Sequence, residues 1–267
     1  MIEGSPRSVE FGEEGRRLSY GGYLKVPELL SLQQLLSDPP AHDELLFIVV
    51  HQVYELWFKE LLWELEATRE AMDASAIARA RYYLARVHSI ERVLIQQIEV
   101  LESMSPQDFL QFRTHLAPAS GFQSVQFREI EFLSGLKDAR YLERLASDDA
   151  EASRLRRRLD EPTLWDAFCG LLDRAGLPMP ANEESVRRQT LVKIAHERYD
   201  YGDLFDLSEE LLTHDELFSL WRQRHVLMVE RQIGSKTGTG GSTGASYLRT
   251  TLDKRFYPEL WSLRSYL

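Results

Sequence analysis

Residues 42–70 read HDELLFIVVHQVYELWFKELLWELEATRE, a stretch without glycine or proline and dense in Leu, Glu, Phe and Trp. Strong helix formers over that length, with no breaker, predict one long helix. Within it Phe47 to Tyr54 is apolar nearly all round, so that part of the helix is expected to be buried. Downstream, Ile77, Ala80, Leu84, Val87, Ile90, Leu94, Ile98 and Leu101 recur at three and four, predicting a second long helix over 76–102. Shorter helical runs are expected near 106–115, 122–134, 138–147, 151–160, 163–175, 184–200 and 203–233. Upstream, Pro27 suits a first helical turn and opens an amphipathic stretch, PELLSLQQLLS. Residues 1–19 show no periodicity and read as a mobile leader. Alternating strand patterns bounded by turn residues are absent, so the fold class is all-α, one helical domain over 20–267.

The 267 residues are ample for a real core, and 43% hydrophobic with 28% charged is ordinary globular composition. A net charge of −10, from 42 acidic and 32 basic residues, disfavours nonspecific binding to nucleic acid or an anionic membrane. The basic run at Arg154, Arg156, Arg157 and Arg158 reads as a solvated helix face. Cys169 is the only cysteine, which leaves no intrachain disulfide, no Cys-based zinc site and no C-x-x-C-H haem attachment. Set in a helical run, it reads as a core residue. The N-terminus has no apolar signal core, and the apolar run Leu45 to Val50 is too short to span a bilayer. A cytoplasmic protein with no membrane or nucleic-acid partner is the expectation.

Gly234 to Gly244, GSKTGTGGSTG, is a glycine-rich loop between helical runs. It lacks the G-x-x-x-x-G-K-[S/T] order, and a helix rather than a strand precedes it, which argues against phosphate binding. Close backbone approach to a ligand, or closure over one, suits Gly, Ser and Thr better.

Seven histidines are present, yet no H-E-x-x-H motif occurs, and none has Glu three residues before it, so zinc-hydrolase and di-iron readings fail. His51 shares a helix face with Phe47, four residues earlier. A satisfied core histidine is the bland reading there. His225 lies along an apolar stripe with Trp221, Met228 and Val229. A neutral imidazole on such a face suits the axial position of a b-type haem, although on spacing alone that signal is weak and a core histidine is the plainer reading. Phe109 and Arg113, four apart, place a ring beside a guanidinium. That pair suits an aromatic amino acid, by stacking and bidentate carboxylate capture, or is simply a core Phe beside a surface Arg.

Five ordered blocks extend these hints: YGGYL at 20–24, HDELLFIVVHQVYELWFK at 42–59, FRTHLAPASGFQSVQF at 112–127, WRQRH at 221–225, and the loop at 234–244. In them the chain resembles the tryptophan 2,3-dioxygenases, bacterial-type, from about residue 20 to its end. The resemblance implies a haem b enzyme, active as Fe2+, that adds O2 to L-tryptophan to give N-formyl-L-kynurenine, the first step of the kynurenine pathway. It implies His225 as the axial iron ligand and His51 as the distal histidine that hydrogen-bonds the indole N–H. Phe47 and Phe109 would wall the indole. Arg113 would pair with the carboxylate, Thr239 would contact the amino-acid end, and Ser120 would lie near the haem. Tyr20, Tyr23 and Leu24 would complete a neighbouring subunit's pocket in a homotetramer. A non-catalytic haem sensor or carrier for an indole ligand is the alternative, but gas sensing alone needs no carboxylate clamp.

Overall fold

The computed structural model describes residues 19–144, 150–241 and 243–267; all but the last residue of the expected leader lies outside them. Among the described residues every regular element is helical. Three long helices form the frame: α3 (His42–Asp73), α4 (Ile77–Glu102) and α10 (Gly202–Ile233). Helix α4 packs against both α3 and α10. The buried positions explain why. Leu61, Leu65 and Met72 on α3, with Leu84, Val87, Leu94 and Ile98 on α4, recur at helical spacing and are almost wholly removed from water. Helix α10 adds Leu207 and Leu211 to the same core.

Short elements complete the bundle. Before the frame come α1 (Tyr20–Leu24) and α2 (Val26–Leu29); α5 (Pro106–Leu116) follows α4, begun by Pro106 and capped by Ser105 Oγ, which accepts from Asp108 N. Next come a 3-10 turn (Gly121–Gln123), α6 (Val125–Ser134), α7 (Ala150–Asp160), α8 (Leu164–Arg174) and α9 (Glu184–His196). Two short helices, α11 (Ala245–Arg249) and α12 (Pro258–Leu263), follow α10. Cys169 sits on α8 against the main core, and burial pushes its thiol up to about 12.

Neighbouring residues of α10 tie the bundle together. His214 Nδ1 lies 2.7 Å from Glu91 Oε1 on α4, and its Nε2 lies 2.9 Å from Ser134 Oγ on α6. Asp215 Oδ2 accepts from the backbone N–H groups of Phe256 and Tyr257 and from Trp261 Nε1, pinning the C-terminal segment to α10. Both side chains are fully buried, where an unmade polar bond is costly, so these links fix the register of α10.

Two expectations from the sequence need correction. The stretch opened by Pro27 is helical only to Leu29, and Leu30, Leu32 and Leu36 stand exposed. Glu44 on α3 takes the backbone N–H groups of Leu36 and Ser37, at 2.7 and 3.0 Å, which draws the chain out along α3 instead of into a helical turn. The basic run on α7 is not wholly a solvated face. Arg158 is buried and holds Glu129, Glu161 and Glu66, while Arg154 reaches Glu129. The run therefore clamps α7 onto α6 and α3.

The buried histidine of α4 supplies a pH test of this packing. His88 Nε2 donates to the Glu210 carbonyl at 2.9 Å. Burial first, and the nearby charge of His214 second, push its pKa from 6.5 down to about 4. The unfolded chain binds this proton first as pH falls, so stability declines between those two values by up to about 1.4 kcal/mol per pH unit. His88→Gln is expected to remove that slope, leaving the other groups' contributions. Urea midpoints followed from neutral to mildly acidic pH check this, and identical slopes in the two proteins would contradict it.

Candidate functional site

Helices α3, α4, α5 and α10, the segment around Ser120, and Gly238, Thr239 and Gly244 of the glycine-rich loop line a cavity of about 280 Å³. It collects seven of the ten residues expected from the sequence: Phe47, His51, Phe109, Arg113, Ser120, His225 and Thr239. Tyr20, Tyr23 and Leu24, on α1, do not line it and are exposed on this chain.

On α10, His225 presents its imidazole to the cavity four residues after Trp221, whose indole stacks on it at 5.0 Å with the planes 13° apart. Among the described residues its ring nitrogens have no protein hydrogen bond. Burial first, and repulsion from His51 second, hold its pKa down to about 4, so the ring is neutral at pH 7.

From α3, His51 carries accessible surface because it borders the same open space. Its Nδ1 lies 2.7 Å from the Phe47 carbonyl oxygen. A carbonyl only accepts, so Nδ1 carries the hydrogen and Nε2 keeps its lone pair for a ligand. Burial lowers the pKa of His51, against the opposing pull of that hydrogen bond and of Glu55. The neutral ring is thus an acceptor at Nε2.

The aromatic wall is a packed set. Phe47 stacks on Phe109 with centroids 5.7 Å apart, and Phe112 meets both edge-on, at 5.6 and 5.4 Å. Arg113, one helical turn beyond Phe109 on α5, donates from Nη2 to the Thr237 carbonyl. Thr239 Oγ1 donates to the Ala119 carbonyl at 2.7 Å. A Cβ on Gly240 would lie 2.6 Å from Ser120 Cβ, so the glycine permits the loop's closest approach. At the loop's end Gly244 has φ +63°, and an added Cβ would lie 2.5 Å from the Lys236 carbonyl. The loop is thereby drawn over the cavity, with Arg113, Ala119 and Ser120 as its fastenings.

Sequence reasoning missed the polar end of the cavity. Arg128 Nη1 pairs with Glu131 Oε2 at 2.6 Å, and Arg222 Nη2 pairs with Glu131 Oε1 at 2.9 Å. All three are buried, and the Arg128 guanidinium lies over Tyr141 at 4.0 Å. The i,i+3 spacing of Arg128 and Glu131 was visible, but the same spacing is common on wet helix faces. Trp221 was visible only as part of an apolar stripe. Among the described residues no group of three or more His, Cys, Asp or Glu could hold a metal ion.

The model of a family described as tryptophan 2,3-dioxygenase matches residues 5–179 and 180–267. The tryptophan 2,3-dioxygenase of a Nocardioides species is 59% identical over 98% of this chain and 100% of its own length. That of Herpetosiphon aurantiacus is 44% identical over 93% of this chain and 98% of its own. That of Serratia proteamaculans is 41% identical over 94% and 93%.

Proposed function

Because the chain belongs to the tryptophan 2,3-dioxygenase family, a haem-dependent group, we propose that its cavity is where haem b, dioxygen and L-tryptophan meet. The chain is an oxidoreductase that oxidises tryptophan in the kynurenine pathway. The observation that carries the site assignment is one apolar cavity holding two neutral histidines, from α10 and α3, beneath a guanidinium on α5. A non-catalytic sensor or carrier is not favoured, since the relatives are dioxygenases along their whole length.

The residues present fit a haem. His225 offers a neutral imidazole with no competing protein hydrogen bond, against the apolar surroundings that a flat macrocycle requires. The lone cysteine lies on α8, outside the cavity, which supports non-covalent haem b. In this reading His225 would hold the iron and Ser120 would lie beside the haem. Ferrous haem, when bound, supplies the dioxygen chemistry.

The protein's own part is orientation. Phe47 and Phe109 wall the indole by aromatic contact. His51 Nε2, left free by the Phe47 carbonyl, accepts the indole N–H and fixes which edge of the ring faces dioxygen. Indole N–H is a very weak acid, so a neutral histidine gains little by removing its proton; His51 orients rather than deprotonates. Arg113 exchanges its Thr237 carbonyl for the substrate carboxylate, a better acceptor for a planar fork, and Thr239 serves the ammonium and carboxylate end. The closed loop keeps water from the cavity and so strengthens the Arg113 attraction.

Tyr20, Tyr23 and Leu24 complete a neighbouring subunit's pocket in a homotetramer. Support comes from their exposure, 79% for Tyr20 and 70% for Tyr23, and from the exposed leucines that follow them. Among the described residues no helix is long and apolar enough to cross a membrane. A lone cysteine, which leaves no intrachain disulfide, supports a cytoplasmic site of action.

Two outcomes follow. Truncating a desolvated charge partner costs roughly 2–5 kcal/mol, so Arg113→Ala is expected to lower kcat/KM for tryptophan by about two to three orders of magnitude. Loss of an orienting hydrogen bond costs roughly 1–3 kcal/mol, so His51→Ala falls by about one to two orders, with N-formylkynurenine still the product. Formylkynurenine absorbance after anaerobic reduction and oxygen addition reads both; complete loss of turnover in His51→Ala with haem and tryptophan binding intact would contradict the orienting role and make His51 a base. Separately, deletion of residues 1–24 is expected to weaken both assembly, by light scattering, and activity. A fully active monomer from that deletion would contradict the shared pocket.

A further inference from the structure

Axial histidines are usually oriented by a hydrogen bond from the second ring nitrogen to a carboxylate or carbonyl. His51 has such a bond, to the Phe47 carbonyl. His225, among the described residues, has no protein hydrogen bond, so the protein touches its ring by packing. The contact available for that purpose is Trp221, whose ring lies nearly parallel to the imidazole, at 5.0 Å and 13°.

Trp221 is itself held on several sides. Phe127 meets it at 5.3 Å, Phe218 at 6.1 Å, and Tyr54 edge-on at 6.2 Å with the planes 73° apart. Tyr54 is in turn tied to α4 by its hydroxyl, which donates to the Leu94 carbonyl at 2.8 Å. An aromatic ring so enclosed has little freedom to rotate, and neither has an imidazole stacked on it. Trp221 Nε1 is buried on the side of Tyr54, and the contact with His225 is made by the indole face.

From this geometry we infer that Trp221 is the positioning residue of His225: its stacked ring, anchored by Tyr54, Phe127 and Phe218, sets the plane in which the imidazole meets the haem iron. It rests on His225 being the axial ligand. Stacking of this kind needs no charge and leaves the imidazole fully neutral. It also explains why an aromatic residue stands one helical turn before the histidine, where an aliphatic one would fill the space without orienting the ring.

The test compares Trp221→Phe, which keeps an aromatic face, with Trp221→Leu, which keeps apolar bulk alone. Haem-loaded ferrous proteins are examined by resonance Raman for the iron–histidine stretch, and haem release is timed by transfer to apomyoglobin. The Phe variant is expected to keep the wild-type band, with release within about twofold. The Leu variant is expected to show a shifted or broadened band and about tenfold faster release, the scale of one lost aromatic pair, with helix content unchanged by circular dichroism. A Leu variant with the wild-type band and release rate would overturn the inference. If the Leu variant loses helix content, the Phe variant decides: a wild-type band supports the inference and a displaced band overturns it. Absence of any iron–histidine band in the wild-type protein would instead remove His225 as the ligand, a different failure.

Discussion

Keeping the His225 imidazole neutral inside an apolar cavity is the constraint on which the rest of the site depends. A histidine in water would be partly protonated near neutral pH and would then repel a metal. Here burial, with His51 adding repulsion of like sign, holds the proton off down to about pH 4. That burial comes from α10, which cannot shift because adjacent residues His214 and Asp215 bind α4, α6 and the C-terminal segment. The helix that presents the histidine is thus itself held by buried polar links.

Around this point the protein separates two kinds of surface. Aromatic rings from α3 and α5 occupy one wall, and the Arg128–Glu131–Arg222 cluster forms a polar end. Arg113 and Thr239 both bond where the glycine loop meets the body of the protein, Arg113 to the Thr237 carbonyl and Thr239 to the Ala119 carbonyl. On the proposed assignment of these two residues, binding of an amino acid and rearrangement of the loop would be one event. The histidine of α3 contributes direction, since its bond to the Phe47 carbonyl settles which nitrogen can accept.

Periodicity made the frame legible: the helices expected over 42–70, 76–102 and 203–233 are α3, α4 and α10, with ends displaced by a few residues. Those segments are long and their apolar spacing is set by burial, the strongest signal a sequence carries. The stretch after Pro27 misled for the converse reason. Its leucines have a helical pattern, but Glu44 captures the backbone groups a helix needed, and a contact between separate segments leaves no local signature. The Arg154–Arg158 run and the buried Arg128 and Arg222 were unreadable in the same way, because a charge paired across elements looks like a charge in water. His51, Phe109 and Arg113 were weak hints on spacing alone; family resemblance assigned them, and the fold brings them to one cavity.

The central claim is that His225 is the protein's bond to the haem iron, and removal of that imidazole tests it most directly. His225→Ala, reconstituted with haem and reduced, is predicted to retain a small fraction of the wild-type haem and to lose its ferrous spectrum, with added imidazole restoring part of both. Full haem content with an unchanged ferrous spectrum would place the ligand elsewhere and contradict the account.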